Sequence, residues 1–562
     1  MGAMKWWGWG EQDVAFSADD KPKFGPFLRE AIGVDITRPP ARLPDLAELE
    51  VPDPDVPAAL RAELEEALGA DAVSDDPHDR LVHARGKSLR DLVRTRGGEL
   101  GRLPDLVLRP AGEAQVAAIL HAALEADAVV IPFGGGTNIS GSLDAPAGEE
   151  RPVLSVDLGR MDQVLGIDDV SRLARVQPGV FGPDLERRLG ARGWTLGHYP
   201  DSFNHSTLGG WIATRSSGMQ SDKYGDIAQI TRGLRVATPH GLLVVRPHPA
   251  ASNGPSVREM ILGSEGRLGI ITEATVQVHR LPAERVILGY LFPSWPDALA
   301  AMRDIAASEA SPSVTRVSDA AETAFSFATK KGDSLLDRAQ SRALREFLER
   351  RRGYDVAQMC LGFIGYEGSE RHVREQRRRT QKIVAAHGGL CIGRGPGELY
   401  DQKKFDTPYI RDFLLDRGVL ADVSETAAPW SDLGKVHDNV TAAARARFAA
   451  LRVKGYIMSH LSHSYHGGAC LYFTFAFTAV PGRDALEDYA DVKRAVQQAF
   501  VDSGATLSHH HAVGTEHAPW LEQDISAPGV ALVRGLFEAG DPGGNLNPGK
   551  IVGAAKPAAT SG

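Results

Sequence analysis

The stretch Pro132-Phe133-Gly134-Gly135-Gly136-Thr137-Asn138-Ile139-Ser140-Gly141-Ser142, entered from the β-branched residues Val129, Val130 and Ile131, constrains this chain more than any other feature. Consecutive glycines remove the Cβ atoms that hold an anion away from the main chain, so successive N–H groups can form a concave nest for a phosphate. Thr137 and Ser140 add hydroxyl donors. The run lacks the GxGxxG spacing and has no Gly-Lys-Ser/Thr after a four-residue gap, which argues against a nicotinamide Rossmann domain and a nucleoside triphosphatase. Taken alone, the glycines also suit an ordinary tight turn.

The length, 562 residues, predicts three or four compact units at about 150 residues each. A net charge of −9 and a hydrophobic share of 43% suit a globular enzyme and give no support to nucleic-acid binding. The basic segment 371–382 reads as the solvated face of a helix. Cys360, Cys391 and Cys470 are too few and too scattered for a disulfide framework or a cysteine zinc site, as suits a reducing cytoplasm. The opening residues carry no secretory or myristoylation pattern, and no apolar run reaches the ~20 residues of a membrane span.

Residues 1–95 are rich in Asp, Pro and Ala and read as a partly helical extension, with a helical pattern at 57–68. A strand at 106–108, a helix over 113–125 and a strand at 128–131 form a β-α-β unit that delivers the glycine run. Short strands follow at 153–156, 173–177, 234–237, 242–245 and 270–278, with helical patterns at 183–192 and 257–262. Beyond Pro282 a second unit alternates strands at 286–292, 359–366, 455–461 and 469–477 with helices at 295–307 and 335–352. The last segment, 501–562, holds a histidine triplet and an amphipathic helix carrying Val530, Val533, Leu536 and Phe537.

Four motifs occur in order: the glycine run, Gln177-Pro178-Gly179-Val180, the stretch from Gly197-His198-Tyr199-Pro200-Asp201-Ser202 to Ser206-Thr207-Leu208-Gly209-Gly210-Trp211, and Gly263-Ser264-Glu265-Gly266-Arg267-Leu268-Gly269-Ile270-Ile271-Thr272. Together they resemble the FAD-binding domain of the vanillyl-alcohol oxidase and p-cresol methylhydroxylase superfamily. The resemblance implies an α+β fold: a two-subdomain FAD-binding domain of the p-cresol methylhydroxylase type over 96–280, an α+β cap for substrate over 281–500, and a helical segment over 501–562 that closes on the flavin through Asn547. It implies that Pro132, Gly134, Gly135, Gly136, Thr137, Asn138 and Ser140 hold FAD. His198, Pro200, Asp201, Ser206, Thr207, Gly210, Glu265, Gly269 and Ile271 then flank the isoalloxazine. Asn138 stands where covalent relatives carry a flavin-linked histidine, so the cofactor is expected to be non-covalent.

More specifically, the chain is similar to the alkyldihydroxyacetonephosphate synthase family, which exchanges the acyl group of acyl-dihydroxyacetone phosphate for a fatty alcohol in ether-lipid synthesis. The similarity rests on Lys5-Trp6-Trp7-Gly8-Trp9-Gly10, Thr315-Arg316-Val317, Tyr409-Ile410-Arg411-Asp412, Glu425-Thr426-Ala427-Ala428-Pro429-Trp430, Ser464-Tyr465 and His509-His510-His511. It implies chemistry at the substrate's C1 without net redox change, a lipid substrate, a homodimer, and a cytoplasmic enzyme that meets the inner membrane surface transiently. The base role falls to Tyr465, and the phosphate and carbonyl neighbourhood to Arg316, Arg411, His509, His510 and His511. A tyrosine titrating near ~10 needs cationic neighbours to act as a base, here Arg411 and the triplet. No acidic or cysteine ligand is spaced with the triplet, so no metal is expected. Glu516, where the family's animal members are basic, leaves open a FAD-dependent 2-hydroxy acid dehydrogenase or oxidase, with Arg411 clamping a carboxylate and a histidine taking the hydroxyl proton.

Overall fold

The computed structural model describes residues 4–331 and 335–553. Val129–Phe133 and Leu106–Leu108 pair in parallel with Val153–Asp157, so the glycine run leaves the carboxyl end of a short parallel sheet. A second sheet is antiparallel, in the order Val164–Asp168, Leu173–Val176, Ile270–Gln277, Thr231–Thr238, Gly241–Val245. Both lie within the span read as the FAD-binding domain.

The segment read as a separate extension is divided between the two halves of the molecule. Val73–Ser74 adds an antiparallel edge to Leu106–Leu108, and Ala58–Leu68 buries Leu60, Leu64 and Leu68 in the core that also holds Val116, Ile119 and Leu120. Earlier, the helix Phe24–Ile32 buries Phe24, Leu28 and Ile32, one stripe at i, i+4, i+8, against Leu414, Val419, Phe325 and Tyr456 of the cap. The helical pattern at 57–68 had no partner in the sequence, and the helix Phe24–Ile32 was not read from it; the structure gives each a partner.

The cap is a seven-stranded antiparallel sheet in the order Leu390–Gly393, Glu284–Phe292, Cys360–Gly368, Val314–Ser318, Gly455–Ser464, Gly468–Thr478, Val419–Pro429. Side chains alternate faces along a strand. Along Gly468–Thr478, Leu471, Phe473, Phe475 and Phe477 sit in the core with Val436, Val440 and Phe448 of one helix and Val492, Val496 and Phe500 of another. The intervening Tyr472, Thr474 and Ala476 line an internal chamber. Val419–Pro429, which was not read as a strand from the sequence, is the edge strand that carries Glu425. No helix among the described residues is long and apolar enough to cross a membrane.

The carboxy-terminal segment returns to the first sheet. Val130 N–H donates to the Asn545 carbonyl at 2.8 Å and Asn547 N–H to the Val130 carbonyl at 2.9 Å, extending the sheet beside the glycine run. The two halves also meet through Ser221–Tyr224, where Asp222 accepts from the Thr315 hydroxyl and, at 2.8 Å, from Ser464 N–H of the cap. Burial pushes the Asp222 carboxyl up to about 7 from an ordinary 3.8, against the hydrogen bonds that lower it. A raised carboxyl gives its full contribution to stability below the ordinary value and loses it as pH rises through the folded one. Asp222→Asn should therefore flatten the fall in Tm between about pH 4 and pH 7 and leave the variant the more stable at the upper end. A parent and variant that lose Tm in parallel over that range would contradict this account of the contact.

Candidate active site

Local sequence explains the shape of the glycine loop. Asn138 Oδ1 accepts from Ser140 N–H and Ser142 N–H, both at 2.9 Å, and folds the run back on itself, while the Asn138 carbonyl accepts from Lys87 N–H. A Cβ at Gly134 would collide with the Thr207 hydroxyl, and one at Gly135 with the His205 carbonyl and Ser206. Those two glycines therefore permit contact with the 205–207 loop as well as with a ligand.

A chamber of about 320 Å³ opens beside this loop. One half is walled by backbone and small side chains: Gly134 to Asn138, Pro200, Asp201, Ser206, Thr207, Gly210, Glu265, Gly269, Ile271 and Asn547. Pro132 lines it as well. Two expected members do not. Ser140 is fully buried with its hydroxyl 3.2 Å from Ser142 Oγ and its carbonyl accepting from Thr515 and Glu516 N–H. His198 lies behind the wall, 2.8 Å from Ser216 Oγ and packed on Trp211, and burial pushes it down to about 4, so it is a neutral packing residue. Asn547 donates its amide to the Ser142 and Glu265 carbonyls at 2.9 and 2.6 Å, leaving its Oδ1 buried without a partner. A flat slot with glycine backbone at one end and an unsatisfied acceptor in its wall fits a flavin and its phosphates.

The other half belongs to the cap and the amino-terminal helix. Arg411, Tyr472, His510 and His511 face the chamber, which continues between Phe27, Leu28, Ile32, Phe325, Tyr456 and Leu414 into an apolar arm. Arg411 donates from Nη1 to the Lys87 carbonyl at 2.7 Å, while its Nε and Nη2 are buried without partners. Lys87 nearby is fully buried, and desolvation pushes it down to about 8. A guanidinium with two unpaired buried donors is an anion site awaiting its anion.

Other expected groups are placed differently. Arg316 Nη2 is 2.8 Å from Glu322 and 3.1 Å from His460 Nδ1, and it lines only a small adjoining cavity of about 30 Å³, so its charge is neutralised there. Tyr465 lies outside the chamber lining, and its hydroxyl contacts Asp226 at 2.7 Å and His509 at 2.6 Å. Burial and the Asp226 carboxylate push that tyrosine far up, the reverse of the cationic setting expected. His509, turned toward Tyr465, also stands outside the lining. Beside the triplet the structure brings Tyr472 to the chamber, its ring stacked on His460 at 4.9 Å and on His510 at 6.0 Å. Its hydroxyl has no hydrogen-bond partner among the described residues, and burial, with Asp201 and Glu425 nearby, keeps it protonated. The signal was present in Leu471-Tyr472-Phe473-Thr474-Phe475, whose alternation places Tyr472 opposite the phenylalanines.

One buried carboxylate holds the triplet. Glu425 accepts from the backbone N–H groups of His509, His510 and His511 at 2.7 to 3.1 Å and from Ser508 Oγ. Burial would raise it, yet the three imidazoles and the Ser508 bond hold it well below the usual range. Folding brings together ligands that sequence spacing kept apart: Glu425, Cys470, His509 and His510 place ligand atoms within 4.8 Å of one another. In this structure the carboxylate is engaged by the loop itself. Glu516 is not at the chamber's edge: it is buried beside Arg90 and Tyr489, 3.7 and 3.4 Å away, and so takes no charge from the site.

Residues 104–245 match the family described as FAD binding domain, and residues 281–551 the family described as FAD linked oxidases, C-terminal domain. An alkyldihydroxyacetonephosphate synthase of Dictyostelium discoideum is 37% identical over 97% of this chain and 85% of its own length. A solved structure of an alkyldihydroxyacetonephosphate synthase superposes with a TM-score of 0.83 at 33% identity, covering 97% of this chain and 98% of that one. A structure of p-cresol methylhydroxylase, at 14% identity over 88% of this chain and 96% of its own, shares the fold with a TM-score of 0.65. On that near full-length identity, joined to a chamber built for a flavin, the chain belongs to the alkyldihydroxyacetonephosphate synthase family and is an FAD-dependent enzyme.

Proposed function

We propose that this enzyme exchanges the acyl group of an acyl-dihydroxyacetone phosphate for a fatty alcohol. The observation that carries the reading is the apolar arm: the chamber runs on from the glycine loop, past Arg411, into a slot walled by Phe27, Leu28, Ile32 and Phe325. A 2-hydroxy acid has nothing to place there, whereas a long acyl or alkyl chain buries about 0.8 kcal/mol per methylene in such a slot. The buried Glu516 removes the acidic edge that had favoured the 2-hydroxy acid reading.

In this scheme Arg411 takes the substrate's phosphate on its unpaired Nε and Nη2, backed by the field of Lys87. Reduced FAD, when bound, supplies the nucleophile for C1. Proton handling falls to two groups at the junction of slot and arm. His510 is held well below its ordinary value by burial and the neighbouring imidazoles, against Glu425, so it is neutral and accepts the C1 proton. Tyr472, protonated, donates to the departing carboxylate, and the phenolate so formed takes the hydroxyl proton of the entering alcohol. Helix Ala320–Ala328, next to the arm, leaves Phe327 44% exposed, which supports transient entry of the chain from a membrane surface.

Flavin should be released completely into the supernatant on acid precipitation, because Asn138 offers no covalent link. Colour retained by the precipitated polypeptide would contradict that. Mass spectrometry of a mixture of acyl-dihydroxyacetone phosphate, fatty alcohol and holoenzyme should show the ether product without an added electron acceptor. His510→Gln and Tyr472→Phe should each lower this turnover by ~10²–10⁴ with flavin retained. Arg411→Lys should weaken substrate binding more than flavin binding, since the planar fork is lost. Absence of ether product, with dye reduction driven by a 2-hydroxy acid, would favour the dehydrogenase reading.

A further inference from the structure

Where the histidine loop meets the cap sheet, four metal-ligating side chains gather, and the scheme above calls on His510 alone for chemistry. Glu425 and Cys470 come from neighbouring strands. In their antiparallel register Glu425 stands opposite Tyr472 and Ala427 opposite Cys470, so Glu425 and Cys470 are diagonal neighbours on the face that carries Tyr472. The loop bearing His509 and His510 is drawn onto that face because its N–H groups close on Glu425. Ligand atoms of all four residues lie within 4.8 Å of one another. His509 Nδ1 and His510 Nδ1 are 2.9 Å apart, and Glu425 Oε2 is 3.5 Å from His510 Nδ1.

Tetrahedral zinc, with bonds of ~2.0–2.3 Å, holds its ligand atoms about 3.3–3.8 Å apart, so small shifts would close this cluster on such an ion. The ligands have capacity to spare. Glu425 Oε1 takes Ser508 Oγ and the N–H groups of His510 and His511, whereas Oε2 accepts from His509 N–H at 2.7 Å and keeps a second lone pair. Cys470 is a free, fully buried thiol. His509 Nε2 already meets the Tyr465 hydroxyl at 2.6 Å, the kind of outer contact that fixes the ring of a ligating histidine. His510 lines the chamber, which gives an ion its way in.

We propose that Glu425, Cys470, His509 and His510 form a site for a divalent cation of zinc's borderline softness, and that its occupancy inhibits the enzyme. A carboxylate, a thiolate and two imidazoles suit Zn2+ better than Mg2+ or Ca2+, which take oxygen ligands. On binding, the Cys470 thiol gives up its proton to the medium, as does any ligating imidazole nitrogen that holds one. His510 is then fixed through Nδ1 with a cation against its ring, which makes its other nitrogen a poor acceptor. Binding is independent of the exchange reading; the loss of activity rests on that reading's use of His510.

Chelator-treated holoenzyme titrated with Co2+ should develop, at one equivalent, the visible bands of a four-coordinate, sulfur-ligated ion to the red of the flavin absorption, and Zn2+ should abolish them. Cys470→Ala should lose these bands, while Cys360→Ala, which removes a buried thiol elsewhere in the cap, should keep them. In the exchange assay Zn2+ should lower turnover by ~10²–10⁴, the effect of a lost general base, and a chelator should restore it. Cys470→Ala should keep its basal turnover and need at least about tenfold more zinc for the same loss, since even outer contacts of a metal site are worth that much. No cobalt bands, or bands and zinc sensitivity unchanged in Cys470→Ala, would overturn the site. Full exchange activity with the cation bound would overturn the inhibition. Cobalt bound through Cys470 in an enzyme with no exchange activity would refute the functional reading and leave the site standing.

Discussion

The arrangement depends on how the segment 508–514 is held between two carboxylates that belong to different domains. Glu425, on an edge strand of the cap, gathers the N–H groups of the histidine triplet; Glu265, on a loop of the FAD-binding domain, accepts from Val513 and Gly514 N–H at 2.9 and 3.0 Å and from Ser142 Oγ. Each such bond to a charged acceptor contributes about 1.5–3 kcal/mol, and an orphaned buried N–H costs a comparable amount. The two respond oppositely to burial. Glu265 is raised because its partners are mostly neutral N–H and hydroxyl groups, whereas Glu425 faces imidazoles and stays low. One crossing of the chain thus carries His510 and His511 to the flavin side and ties the cap to the glycine loop.

From this follows a division of labour. The FAD-binding domain offers the chamber main chain, hydroxyls and glycines, which suit a fixed, flat, polar guest. The cap sheet and the amino-terminal helix offer an arginine with unpaired donors, a protonated tyrosine, a neutral histidine and an apolar arm. Neither half is a site alone. The strand Gly468–Thr478 has one face committed to the helices Leu433–Leu451 and Ala485–Asp502, and its other face gives the chamber Tyr472, Thr474 and Ala476.

Much of the flavin half was legible in the sequence because its function resides in backbone, and backbone that must approach a ligand or a neighbouring loop demands glycine in a recognisable order. Ser140 and His198 were misread for one reason: a residue adjacent to a motif shares its path but not its orientation, and these two side chains turn into the wall. Arg316 was read as a cation for substrate, but Glu322 is six residues along the chain and neutralises it after folding. At the tyrosine the expected and observed settings differ most. Tyr465 lies at a turn, where nothing in the local pattern gives its direction, whereas Tyr472 lies in an alternating strand whose pattern does. Glu425 was named only as the head of a family motif, and its role as anchor of the triplet had no signal, since its partners are main-chain groups more than eighty residues away.

The central claim is that one chamber joins the flavin slot to an apolar arm that takes the lipid chain. A fatty alcohol bearing a diazirine at its far end, photolysed with the holoenzyme and mapped by peptide mass spectrometry, tests this most directly. The account predicts labelling of Phe24–Ile32 and of the neighbourhood of Phe325 and Tyr456, suppressed by excess unmodified alcohol. Labelling confined to exposed side chains such as Phe347 or Leu532, and unaffected by the competitor, would contradict it.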